Sequence, residues 1–189
     1  DSYNVAIGFD AARDMTTGIR NIIVGGLAGD ALTDADYNIA MGMGALGTDT
    51  KGNKSIAIGT DALGTQNFTS STDSNNIAIG FQSCVSLTTG QNNTAIGNVT
   101  LDANTTGANN TAIGFASMTT NTTGANNVAI GRSTLATSTT GNYNTALGYG
   151  ALTASETASD NTGIGNNALG GATTGANNTA VGSNSLVSN

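Results

Sequence analysis

The stretch from Asn93 to Gly131 reads NTAIGNVTLDANTTGAN, then NTAIGFASMTTNTTGAN, then NVAIG. The phrase Asn-x-Ala-Ile-Gly opens at Asn93, Asn110 and Asn127, and the Thr-Thr-Gly behind it returns at the same interval. The register holds outward in both directions. The motif glycines are Gly8, Gly25, Gly42, Gly59, Gly80, Gly97, Gly114, Gly131, Gly148, Gly165 and Gly182. Their spacing is 17 throughout except between Gly59 and Gly80, where it is 21 and four extra residues enter near Gln66 to Asp73. The 189 residues therefore read as one repeat domain of eleven units. A unit this short cannot hold two packed helices, its interior is broken by glycine, and no heptad runs through it. What remains is all-β: a parallel β-solenoid with one coil per repeat, about 4.8 Å of rise per coil.

Positions are counted below from the motif glycine of each copy. Position −1 is apolar in every copy, including Ile96, Ile113 and Ile130, and position +4 carries Leu101, Met118 and Leu135 in the same copies. These two columns are the expected large core residues. Cys84 falls at position +4 and reads as a small core hydrophobe. Position −2 is Ala in nearly every copy, so Thr/Val-Ala-Ile is a three-residue strand with a small face and a large face. A small residue held on one face means that the opposite coil wall, or another chain, comes close to it. Position −4 is Asn in every copy except Ser55; Asn93, Asn110 and Asn127 are typical, and stacked amides there predict a ladder. Gly97, Gly114, Gly131 and the glycine ten residues after each predict corners with positive φ. The Thr-Thr pair predicts a further short extended segment.

Composition narrows the function. Charged residues are 9% of the chain against about 25% in ordinary globular proteins. There is no His, Pro or Trp and one Cys, which removes imidazole acid–base work, an internal disulfide and a Cys/His zinc site. Absence of Pro suits a paired ladder. The net charge of -7 argues against nucleic acid and anionic membrane surfaces as partners. No apolar run reaches the roughly 18 residues of a membrane-spanning helix. One Glu, Glu156, and no phosphate loop or spaced carboxylate pair leave no enzyme constellation, and no cofactor or metal site is expected. The chain begins at Asp1, which reads as a processed, truncated or partial gene product.

Asn93-Thr-Ala-Ile-Gly97, Asn110-Thr-Ala-Ile-Gly114 and Asn127-Val-Ala-Ile-Gly131 resemble the β-roll head repeats of trimeric autotransporter adhesins. With Ala151-Leu152 after the glycine and Thr-Thr-Gly later, the 17-residue form looks still more like repeats in phage tail-fibre proteins. The resemblance covers essentially the whole chain. It implies a left-handed, trimeric β-roll in an extracellular appendage on a cell or virion surface, contacting a host cell or matrix through a glycan or protein receptor. The chain departs from those proteins in showing no stalk, neck, membrane anchor or chaperone tail.

Two large apolar side chains per coil are few against the cost of ordering a whole coil, so lateral self-association is expected, most simply a homotrimer. The ends show no cap, which fits either a slice of a longer fibre or an end-to-end homopolymer whose coils continue across the junction. An ice-binding solenoid is a minor alternative; paired Thr139 and Thr140 point to opposite faces, where a flat array needs alternate Thr on one. Candidate contact residues are the aromatics directly after the motif glycine: Phe9, Phe81, Phe115 and Tyr149. These read either as a receptor-binding edge or as packing between chains. The insertion should bulge from the rod and present Phe68. Asp30, Asp34 and Asp36 read as a solvated acidic corner, with Ca²⁺ ligation the lesser reading.

Overall fold

A computed structural model describes residues 2–171 and 174–187. Three-residue strands recur once per coil: β1 (Val5–Ile7), β2 (Ile22–Val24), β3 (Ile39–Met41), β5 (Ile56–Ile58), β7 (Ile77–Ile79), β8 (Thr94–Ile96), β9 (Thr111–Ile113), β10 (Val128–Ile130), β11 (Thr145–Leu147), β12 (Thr162–Ile164) and β13 (Thr179–Val181). They form one eleven-stranded parallel sheet in chain order, each strand pairing with its neighbour in the next coil. The pairing is like on like: Ala95 faces Ala112, which faces Ala129, and Ile96 faces Ile113, which faces Ile130. The chain is thus the β-solenoid that its repeat predicts.

The asparagine column holds successive coils together. Asn110 Oδ1 accepts from the backbone N–H of Asn127 at 3.0 Å, and Asn110 N–H donates to Asn93 Oδ1 at 3.0 Å. Its Nδ2 donates to the carbonyl of Gly124, which closes the same coil, at 2.8 Å. The pattern repeats from Asn4, whose Oδ1 accepts from Asn21 N–H, to Asn178, whose N–H donates to Asn161 Oδ1. Asn93, Asn110 and Asn127 are fully buried, and each meets a backbone need that would otherwise go unpaired. A second ladder runs beside it. The Thr hydroxyls at position +8 donate to the same position one coil on, as in Thr105 to Thr122 O at 3.0 Å and Thr122 to Thr139 O at 3.1 Å. Thr105-Thr106, Thr122-Thr123 and Thr139-Thr140 are accordingly bends; among the described residues a second strand pairing occurs only between β4 (Gly52–Asn53) and β6 (Thr72–Asp73).

The motif glycine is required twice over. Gly114 has φ +127°, and a Cβ there would lie 2.5 Å from the carbonyl oxygen of Gly131 stacked on it. The second glycine column differs from expectation. Gly107 and Gly124 lie outside the positive-φ region, and what excludes a side chain is the close approach of the next coil's carbonyl and of Asn104 or Asn121.

The core also departs from the sequence reading. Ala95, Ala112 and Ala129 are fully buried with Leu101, Met118 and Leu135. Ile96, by contrast, is 37% exposed, and Ile113 and Ile130 are only partly covered. The position −1 column points out of the coil. The coil is thin enough that one large side chain spans it, so the wall opposite the Leu column must be Ala. The exceptions show this directly. Gly163 stands at an Ala position where a Cβ would lie 3.2 Å from Leu152 Cγ. Ile23 stands at another, fully buried, and there the Leu position is Gly29, whose Cβ would lie 3.2 Å from Ile23 Cδ1. Large and small have exchanged walls. Buried small residues at position +3, such as Ala62, Ser83 and Ser117, and a mixed column at position +7 complete the interior.

The insertion is absorbed within one coil. Gln66 still stacks over Asp49 at a 17-residue offset, β6 pairs with β4 at an offset of 20, and Ile77 pairs with Ile56 at 21. Phe68 is 6% exposed and packs inward near Gly52, so the expected presentation of Phe68 is corrected; the exposed tip is Thr69 to Ser71. Where Ser55 interrupts the asparagine column, Gln66 repairs it. Its Nε2 donates to Ser55 Oγ at 2.9 Å and to Asp49 Oδ2 at 2.6 Å, and its Oε1 accepts from Asn76 Nδ2 at 2.9 Å.

Asp49 is fully buried, and among the described residues no Lys or Arg forms an ion pair with it. Burial pushes its carboxyl above the usual aspartate value of 3.8, and hydrogen bonds from Phe68 N–H, Gln66 and Gly52 N–H oppose that rise only in part. The folded chain therefore favours the protonated acid. Its stabilising effect is fully present below pH 3.8 and is lost as pH rises through the raised value, by about 1.4 kcal/mol per pKa unit. Asn104 shows that an amide fits this column, accepting from Gly107 N–H at 3.0 Å and donating to Gly107 O at 2.9 Å. At Asp49 the exchange to Asn sets an amide N–H against Gln66 Nε2 where an acceptor stood, so Asp49→Asn should be less stable than the wild type at acid pH and close that deficit toward neutral pH, in urea melts across pH 3.5 to 7.5. Gly114→Ala should cost about 2 kcal/mol or more from backbone strain and clash. Gly26→Ala, where the nearest atom lies 4.0 Å away, should be neutral or slightly stabilising in the same melts.

Candidate binding face

Because Ala faces in, the outer face of the sheet carries positions −3 and −1. Every residue at these positions is Ile, Val, Leu, Met or Thr, and none is charged. Val5, Ile7, Ile22, Met41, Ile96, Val128, Leu147 and Val181 are exposed. The result is an apolar strip running the length of the rod. Apolar surface gathered in one long strip, as opposed to scattered singly, marks a contact face.

Aromatic columns flank the strip. Phe9, Phe81, Phe115 and Tyr149, at position +1, are all exposed. Only two of them are brought into one group. Phe115 and Tyr149 lie two coils apart, with Arg132 at the same position of the coil between. The Arg132 guanidinium carbon lies 5.7 Å from the Phe115 ring centroid and 5.8 Å from that of Tyr149. Phe9 and Phe81 stand apart. At position −5, Tyr3, Tyr37 and Tyr143 are exposed, and Arg20 lies over the Tyr37 ring and donates to its hydroxyl. Arg132 was missed from sequence, although it stands in the same 17-residue column as the aromatics.

The acidic coils are organised differently. Asp30 pairs with Arg13 at 3.1 Å and Asp34 with Lys51 at 3.6 Å, while Asp36 accepts from Ile19 N–H at 2.8 Å. The three carboxylates face separate partners, and among the described residues no three His, Cys, Asp or Glu side chains converge on one point. Missing side chains at Gly44, Gly47 and Gly64 leave a shallow groove of about 390 Å³ between Leu27 and Val85, rimmed by Asp30 and Asp61. Cys84 is buried, and its thiol is pushed up to about 12 by burial first and by Asp102 second. It is protonated and unreactive at neutral pH.

Comparison with protein-family models, with curated proteins and with solved structures returned no match.

Proposed function

We propose that this chain is a structural segment of an extracellular fibre or adhesin: a rigid rod that associates laterally with copies of itself and holds a contact surface away from a cell or virion. The observation that carries this reading is the uncharged apolar strip on the outer sheet face. The coils turn their position −1 side chains outward, and Ile7, Met41, Ile96, Leu147 and Val181 among them are exposed, so the isolated chain leaves large apolar side chains in water along the strip. A second copy is the partner whose ridges repeat with the same spacing along the whole strip. Contacts around a common long axis close most simply as a trimer, which is also what the resemblance to adhesin heads and tail fibres implies. The regular parallel ladder supports a load-bearing role over a catalytic one, and the resemblance supports a location outside the cell.

Sedimentation equilibrium tests the association. The expected species is a trimer. Ile96→Lys combined with Leu147→Lys places charges on the strip and should yield monomers that keep their β circular dichroism, whereas Thr69→Lys at the insertion tip should leave the trimer intact. A wild-type chain that sediments as a compact, stable monomer contradicts the reading.

A further inference from the structure

We propose that Phe115, Arg132 and Tyr149 form a binding site for a carboxylate-bearing sugar of a surface glycan. This inference rests on the reading of the rod as a surface-contacting fibre.

Arg132 is unlike the other four basic residues. Arg13 pairs with Asp10, Asp14 and Asp30, Lys51 with Asp34 and Lys54 with Asp73, while Arg20 donates to the Tyr37 hydroxyl. Arg132 is exposed, and among the described residues it has no acid and no hydrogen-bond acceptor. Its guanidinium is nonetheless held in place, with one ring a coil below and another a coil above. Stacking restricts the side chain while leaving its N–H donors unengaged, so little further ordering is needed when an anion arrives. The planar fork matches a carboxylate, which accepts two parallel N–H bonds.

The acids that give the overall charge of -7 lie mostly away from this site. Nine of the twelve carboxylates lie in residues 1–73, and only Asp102, Glu156 and Asp160 lie beyond. At about 8 Å of Debye length, the acidic early coils are screened from the middle of the rod's second half. The exposed parts of both rings supply apolar surface for the C–H flank of a pyranose, and the Tyr149 hydroxyl supplies a donor and an acceptor for sugar hydroxyls. Three tiers at about 4.8 Å each suit an extended oligosaccharide lying along the rod. Nucleic acid does not fit, because one cation cannot offset a phosphate chain against this net charge. An acidic peptide fits poorly. Strands β9, β10 and β11 beside this ridge are each paired on both sides, so a peptide would find no sheet edge here.

The test is an array of immobilised sialylated and uronate-containing oligosaccharides, each beside its carboxyl-reduced counterpart. It is probed with the wild type, Arg132→Gln, Arg132→Lys and the Phe115→Leu/Tyr149→Leu double variant. Circular dichroism and sedimentation confirm that each keeps its fold and assembly. The wild type should bind at least one acidic glycan tenfold or more above its reduced form. Arg132→Gln should lose that preference, Arg132→Lys should lose most of it, and the ring variant should weaken binding with the arginine still present. Binding that survives Arg132→Gln, or that does not distinguish acidic from reduced glycans, overturns the site and leaves the fibre reading standing. A wild type that binds no glycan on the array, or binds an acidic peptide spotted beside them in preference, overturns the site as well. The sedimentation result separately decides the rod.

Discussion

Outside the insertion, each coil sits on the next with residues over their own equivalents, and the buried asparagines enforce that alignment. Asn110 links its own coil's closing corner, through Gly124 O, to the next coil's first peptide group, through Asn127 N–H. An amide is the side chain that both donates and accepts at that reach. Once the stack is in register, the rest follows from self-superposition. Gly114 must be glycine because Gly131 lies directly over it. Thr105 reaches the carbonyl of Thr122 because the two share a column. Even the Leu column is carried at positive φ, +52° at Leu101 and +46° at Leu135, a cost of about 1–2 kcal/mol each that burial across the thin coil offsets.

The same alignment decides what the outside looks like. A coil one side chain wide accommodates Leu against Ala and nothing larger, which turns the branched residues outward. The Ile23 and Gly29 exchange keeps one large side chain across the coil while reversing the walls. Gln66 keeps the polar column continuous across Ser55, where four extra residues would otherwise break it. Irregular residues in this chain are therefore local repairs of one interaction pattern. Arg132 answers to none of these needs, which is why its position between two rings points outward to a ligand.

Much of this was legible from residue spacing. The 17-residue period, the strand at Thr-Ala-Ile, the asparagine column and the buried Cys84 all follow from which residue types recur and where. Three things did not follow. Alternation at Ala95 and Ile96 separates two faces of a strand but does not say which one is inside; that depends on coil width, which only the closed coil sets. The path of the insertion was unreadable because Phe68 leaves its 17-residue column and finds space beside Gly52. The second glycine column looked like a positive-φ corner, yet its constraint comes from the equivalent corner of the next coil, as Gly124 O over Gly107 shows. In the binding face, the aromatic column was visible, whereas Arg132 within it is marked only by its 17-residue register.

The most direct test of the central claim is excision of one whole coil. Removing residues 110–126 joins Asn109 to Asn127 and deletes one full repeat, so every column is restored one step lower. If in-register stacking of equivalent residues holds the fold together, this shortened chain unfolds cooperatively near the wild-type midpoint in thermal circular dichroism. Removing residues 110–125 instead leaves Asn126 behind as a surplus residue. That misaligns the asparagine, glycine and leucine columns and should give a chain with a much lower midpoint or none. Equal stability of the two deletions, or collapse of both, would contradict the account.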